Sequence, residues 1–494
     1  MRRTLHFVIA ALFVHAGAWI RWSQPQAPAA EVVPARPIWI SSWKPVWRVL
    51  PHVTPMLWLG GYLTCTPNPS DKLPDAEQMA QASAAIPEGR RVLLWYRYFT
   101  TFWSCPEDEV RSGQSGLSYR GPWSDVAMSK VEEEWSRWLL RFQRSGGQLD
   151  YLIGDCEDWS KLTNWWLKPD QLAAIRGDPR FREAKYGLAP LSEMLKGVNL
   201  DLVLDTATSS QYLGWNLQIS RMSAAEMIRS VWDPALRLFP KLRGANYGGL
   251  RDVVQPAPDP NGHPQPLDNV FGTSPSPVAY GSLLQASTSH SIDPANPTRL
   301  IRGAGKRLPQ DAWGSFLIDQ QQGRAARRGM PDRPLLPWIA SRTFTGDDGR
   351  SIGYPKDPRY YVENIVHYAL LGTEVFLWWN PVPGGNSPAM DEVKGMQELA
   401  EELERVMVLV NDQCGGVIER TIDVSPIRLD SPFVLTGAVC RNGTTLWRVT
   451  FRPDIRSYHR QDTGEVRTLP PDSVGDWIRT TTNQAPAIEI TPKP

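Results

Sequence analysis

The chain has almost no net charge: across 494 residues, 53 lysines and arginines stand against 52 aspartates and glutamates, a formal balance of +1. Nucleic-acid-binding surfaces are strongly basic, so nucleic acid is disfavoured as a partner. Histidine is sparse, at seven, and cysteine sparser, at five. Neither type clusters at metal-ligand spacing, so the motifs give no support to a metal-dependent mechanism or to any cofactor. Acidic residues leave calcium open. Five cysteines are too few for a disulfide-dominated scaffold but fit an exported protein with a couple of bridges. The expected pairs are Cys65 with Cys105 and Cys414 with Cys440, which leaves Cys156 over.

The hydrophobic share, 41%, is enough to bury a large core in one large domain with a smaller one beside it. Tryptophan is abundant, at 22. Indole faces stack on the apolar faces of sugar rings, although much of the excess serves packing.

Residues 1–20 read as a signal peptide: Arg2 and Arg3, an apolar run over 5–20, and Ala16-Gly17-Ala18 as a small-residue cleavage site. The expected location is secreted, periplasmic or cell surface. The alternative is an uncleaved membrane anchor, because Trp19-Ile20 extends the run towards a spanning length. Residues 21–36, rich in proline and alanine, read as a linker.

From there strand and helix signals alternate. Residues 56–64 and 91–100 are strand-like, and Val131, Trp135, Trp138, Leu139 and Phe142 recur at helical spacing before Gly146-Gly147. Ser223-Ala224-Ala225-Glu226 is a capping box that opens a helix carrying Met227, Ile228, Val231 and Leu238. Residues 244–250 read as the next strand, and the proline-crowded 251–277 as an irregular excursion. Helix is expected over 311–326, strand over 334–344, helix over 360–371 with its stop at Gly372, and strand over 374–380. A last long helix starts at Ser387-Pro388 and carries Val406 and Val410. This alternation predicts an α/β fold, a (β/α)8 TIM barrel over 37–412. Short alternating strands follow, with a hairpin across Asn442-Gly443, and predict an antiparallel β-sandwich-like domain over 413–494.

The stretch 149–159, L-D-Y-L-I-G-D-C-E-D-W, begins as an apolar run and ends in carboxylates, the profile of a buried strand emerging at its C-terminal end. Alternation puts Ile153, Asp155 and Glu157 on one face, with the two carboxylates roughly 6 to 7 Å apart along the strand. Such a pair repels, raising the pKa of one member and keeping it protonated for general acid work.

Asp155-Cys156-Glu157 resembles the D-x-E that ends the catalytic strand of the chitinase and hyaluronidase families of retaining glycosidases. Asp155 to Trp159 is most similar to the hyaluronidase D-W-E-x-W, with Cys156 in place of an aromatic. Asp150 to Glu157 meets the chitinase D-G-x-D-x-D-x-E at three of four acidic positions, with Tyr151 for a glycine and Ile153 for a carboxylate. The resemblance implies Glu157 as the acid that protonates the leaving oxygen. It implies Asp155 as the residue that steadies a substrate N-acetyl group acting as nucleophile. The bland alternative is an acidic strand end that caps the next helix.

Substrate contacts are expected from Trp159, from Asn246 and Tyr247, from Arg342 as a carboxylate partner, and from Trp378, Trp379 and Asn380. The aromatics and Arg342 have plainer uses: packing for the aromatics, a pair with Asp347 or Asp348 for Arg342. Trp378 and Trp379 alternate faces, so at most one can point into the mouth. The partner expected is a polysaccharide or glycan. Two other readings stay open, a retaining glycosidase with a direct carboxylate nucleophile and a nonenzymatic carbohydrate-binding cell-surface protein.

Overall fold

The computed structural model describes residues 38–40, 53–59, 75–86, 88–95, 125–154, 228–246, 274–279 and most of 290–379 and 401–490. These residues belong to one compact unit that begins at Val32.

Strands β1 (Ile38–Ile40), β2 (Val53–Pro55) and β3 (Leu57–Leu59) lead to helix α1 (Ala76–Ala84) and β4 (Val92–Trp95). Helix α2 (Asp125–Arg144) precedes β5 (Tyr151–Gly154), and α3 (Asp233–Leu238) precedes β6 (Arg243–Asn246). After β7 (Val278–Ala279), strands β8 (His290–Ile292), β9 (Leu300–Arg302) and β10 (Lys306–Arg307) form a small antiparallel sheet. Helix α4 (Ala312–Gly329), β11 (Trp338–Ala340), the antiparallel pair β12 (Thr343–Thr345) and β13 (Ser351–Gly353), α5 (Pro358–Leu370) and β14 (Phe376–Trp379) follow.

The strands that alternate with helices are parallel. One sheet has the order β2-β1-β14-β11-β7 and another β3-β4-β5-β6. β2 and β3 are one stretch of chain broken only at Met56, so neighbours in space follow neighbours in sequence, and β1 lies between β2 and β14. Among the described residues this makes eight parallel runs in a single winding order.

The two faces of these strands bury different cores. Leu57, Leu93 and Leu152 pack with helices α1, α2 and α3. Met56, Val92, Tyr151, Ile153, Ala245, Val278, Trp338 and Leu377 form a separate cluster on the opposite face. The alternation of outward Leu152 with inward Tyr151 and Ile153 is the two-residue period of a strand buried on both sides.

Helix α2 forms where the spacing predicts it. Val131, Trp135, Trp138, Leu139 and Phe142 are all buried, Trp138 stacks between Trp135 and Phe142 with centroids 5.4 and 5.1 Å away, and the Trp135 indole N–H donates to the Val231 carbonyl. Gly146 ends the helix at φ +87°, and a Cβ on Gly147 would sit 2.5 Å from the Phe142 ring. Both glycines are therefore needed for the turn into β5.

Three expectations change. The helix predicted from Ser223 is described only from Ile228. Its turn Ile228–Trp232 is π-helical and becomes α-helical at Asp233, because Pro234 has no N–H to bond back to Ser230 and the ladder restarts there. The strand expected over 334–344 is two, β11 and β12, and β12 pairs antiparallel with β13 instead of continuing the parallel sheet. The run over 56–64 starts earlier, at Val53.

The C-terminal strands are β15 (Ile418–Ile422), β16 (Phe433–Cys440), β17 (Thr445–Phe451), β18 (Ser457–Arg460), β19 (Glu465–Thr468), β20 (Gly475–Thr480) and β21 (Ile488–Ile490). They form two antiparallel sheets, β15-β16-β17-β20 and β19-β18-β21. One core, with Trp447, Val449, Phe451, Tyr458 and Ile478, takes in residues of both sheets. The β16–β17 hairpin turns at Asn442-Gly443 as expected, with Gly443 at φ +79° and the Asn442 side-chain carbonyl accepting the Thr444 N–H. The expected Cys414–Cys440 bridge is present, Cα atoms 5.4 Å apart, and ties the end of the helical residues 404–413 to β16. The other faces of α4 and α5 share a core with this sheet.

Candidate active site

Parallel strands with helical crossovers collect their C-terminal ends on one rim, and the loops that leave this rim are where such folds carry chemistry. β5 is held between β4 and β6 with Trp95, Gly154 and Asn246 side by side at that end. Tyr151 and Ile153 face the inner cluster, and the next residues in the chain are Asp155, Cys156 and Glu157. On β14, Trp378 is flanked by Ile40 and Ile339, and Trp379 lies beside Ala340. The strands leading to every residue expected from the sequence therefore run to the same rim, with β5 and β14 four places apart in the strand order.

Asp155, Glu157, Trp159, Tyr247, Arg342 and Asn380 lie outside the described residues, as do Cys65, Cys105 and Cys156. The backbones of Asn246, Trp378 and Trp379 are described as strand ends, and their side chains lie outside the description. Among the described residues no group of histidine, cysteine or acidic side chains could hold a metal ion, and no helix is long and apolar enough to cross a membrane.

The opposite, N-terminal ends of the same strands carry a polar cluster that the sequence alone does not reveal. Tyr151, first residue of β5, donates its hydroxyl to Glu374 Oε1 at 2.6 Å. The Arg243 guanidinium, from the head of β6, pairs with the same oxygen and lies 5.5 Å from the Tyr151 ring centroid. Burial pulls the Arg243 pKa down, but Tyr151 and Glu374 outweigh it and hold the group above its ordinary value. One buried carboxylate, two residues before β14, thus bonds the heads of β5 and β6. Its local signal is a single acidic residue at the head of the apolar run E-V-F-L-W-W, which the tryptophan pair at the other end of the run outweighs.

No protein-family model matches the chain, and no curated protein does. Three similar solved structures are glycoside hydrolases. An α-galactosidase from Lactobacillus brevis is 9% identical, with 86% of this chain and 48% of that one covered and a TM-score of 0.33. A family 5 glycoside hydrolase from Prevotella bryantii, in complex with a xyloglucan tetradecasaccharide, is 9% identical over 71% of this chain and 95% of its own, TM-score 0.32. An exo-β-1,4-mannosidase from an Opitutaceae bacterium is 11% identical over 78% and 62%, TM-score 0.30. The chain spans about half the length of the α-galactosidase. None of the three is a chitinase or hyaluronidase.

Proposed function

We propose that the chain is a glycoside hydrolase acting on a polysaccharide or glycan at the C-terminal mouth of a (β/α)8 barrel, with Glu157 as general acid and Asp155 as its assisting carboxylate. The observation that carries this reading is the register of β5. Its inward residues are Tyr151 and Ile153, and it stops at Gly154 between two parallel neighbours. One further step of the same alternation gives Asp155 the inward parity of Ile153, and two steps give it to Glu157.

The same rule favours Tyr247, two residues past inward Ala245, and Trp379, two past inward Leu377, as the side chains turned to substrate. Trp378 shares the parity of Phe376, which packs with the helices, so packing is its proposed role. Asn246 and Asn380 are proposed as rim hydrogen-bonding groups, Arg342 as a partner for an acidic sugar, and Trp159 as a subsite wall. Barrel closure between β6 and β7 is part of the proposal; Ala245 and Val278 sharing one inner cluster supports it. In a closed barrel of eight strands, β5 and β14 face each other, which sets Trp379 across the mouth from the acid pair. The Cys414–Cys440 bridge supports export to an oxidising compartment, in keeping with removal of residues 1–20 as a signal peptide.

The C-terminal sheets are proposed as a structural domain from about residue 413. Among their described residues the aromatics Trp447, Phe451 and Tyr458 are buried, and Phe433 and Trp477 are partly buried against the cores, which supports packing as their use.

The test is hydrolysis of a panel of polysaccharides and glycans with and without N-acetyl groups. Turnover confined to N-acetylated substrates, and lost in Asp155→Asn, is the result expected for substrate assistance. Equal turnover of non-acetylated substrates would turn the reading to a direct carboxylate nucleophile.

A further inference from the structure

Away from the rim, α5 faces β16 and β17 through a run of buried polar side chains with a histidine in its centre. His367, Thr436 and Thr450 are fully buried, and Arg324, Glu363 and Arg448 nearly so. The His367 Nδ1 lies 2.6 Å from Thr436 Oγ1 and Nε2 lies 2.9 Å from Thr450 Oγ1.

The neighbours fix where the protons are. Thr450 donates its hydroxyl proton to Glu363 Oε2 at 2.6 Å. Its oxygen is then an acceptor for the ring, and Nε2 carries the hydrogen. On the other side, Arg324 Nη2 donates to Thr436 Oγ1 at 2.9 Å. The Thr436 hydroxyl is left to donate to Nδ1, which accepts. The chain therefore runs one way, from Arg324 through Thr436, His367 and Thr450 to Glu363, which also holds Arg448 in a two-pronged pair. All of these hydrogen bonds can be made together only while the imidazole is neutral.

A second proton on the ring would turn Nδ1 into a donor facing a hydroxyl that already receives an arginine N–H. It would also place a cation between Arg324 of α4 and Arg448 of β17. The acidic groups around them are Glu363 on α5, Asp319 on α4, which accepts from Asn364, and Asp476 on β20, which accepts from Tyr458 and Arg467. Burial above all, then Arg324 and Arg448, hold the His367 pKa well below its ordinary value. A histidine with a depressed folded-state pKa contributes its full stability above the unfolded value of about 6.5 and loses it as pH falls below that, since only the unfolded chain gains the proton.

We propose that this chain of six side chains is an acid-sensitive latch that holds the C-terminal sheet on α4 and α5 and releases it when His367 takes up a second proton. The latch reaches the rim through sequence, because α5 leads by a short turn into β14, which ends in Trp378 and Trp379.

The test compares the full chain with His367→Gln by denaturant unfolding between pH 7.5 and 5. Glutamine can accept from Thr436 and donate to Thr450 but has no proton to gain. Below pH 6.5 the wild-type unfolding constant is expected to rise relative to the variant's by about tenfold per pH unit. Parallel pH profiles for the two proteins would overturn the proposal.

If the variant does not fold, hydrogen exchange on the wild type tests the latch by itself. Corrected for intrinsic rates, protection over 358–370 and 433–451 should fall together as pH drops from 7 to 5, while 457–468 holds. Unchanged protection in the first two segments would contradict the latch.

Discussion

At the scale of single residues, the buried ion pair Arg448–Glu363 is the most exacting arrangement described. Removing one partner strands a charge, so Glu363→Ala is expected to cost about 3 to 5 kcal/mol, measured by denaturant unfolding. Adding Arg448→Met to it should recover much of that loss. Gly475 leaves room for the pair: a Cβ there would lie 2.9 Å from both Arg448 Nη2 and Glu363 Oε2. Gly475→Ala is therefore expected to cost about 1 to 3 kcal/mol through crowding, again read from unfolding. None of these partnerships is visible in the sequence. Glu363 and Arg448 are 85 positions apart, and neither sits in a motif; only the docking of a helix on a sheet brings them together. Candidate residues at the rim are legible for the opposite reason, because strand ends and acidic or aromatic runs are local signals.

At the scale of elements, local pattern and local structure agree wherever one residue spacing dominates. Helix α2 is the clearest case, its five apolar positions all buried. Trp138→Ala, which removes the middle of a three-ring stack, is expected to cost about 3 to 5 kcal/mol in unfolding measurements. The Asn442-Gly443 hairpin and the glycine stop after α5, with Gly372 at φ +83°, are equally legible because the turn chemistry is specific. Agreement fails where a longer-range constraint intervenes. Pro234 divides a helix whose apolar spacing is continuous, and the β12–β13 hairpin interrupts a run that reads as one strand. The small sheet β8-β10 leaves no trace in the sequence pattern, since its strands are two or three residues long and show no alternation to count.

At the scale of the molecule, the winding of eight parallel runs among the described residues, with β1 between β2 and β14, is what the strand and helix alternation calls for. The count itself is not legible, because several runs are only two to four residues long. Pairing order comes from contacts between distant segments, which no single stretch encodes. The Cys414–Cys440 bridge closes a loop of 26 residues between the last helix and β16. Its loss in a Cys414→Ser, Cys440→Ser variant is expected to cost about 3 kcal/mol of stability, checked by thermal unfolding with and without reductant.

The proposed chemistry requires β5 to deliver a general acid to the rim, and one substitution addresses that directly. Glu157→Gln keeps the shape of the side chain and removes its acid proton. Measured on the best substrate of the panel, with folding verified by circular dichroism, the variant is expected to lose about 10²- to 10⁴-fold in rate. Turnover equal to wild type would contradict this assignment and move the chemistry off this strand.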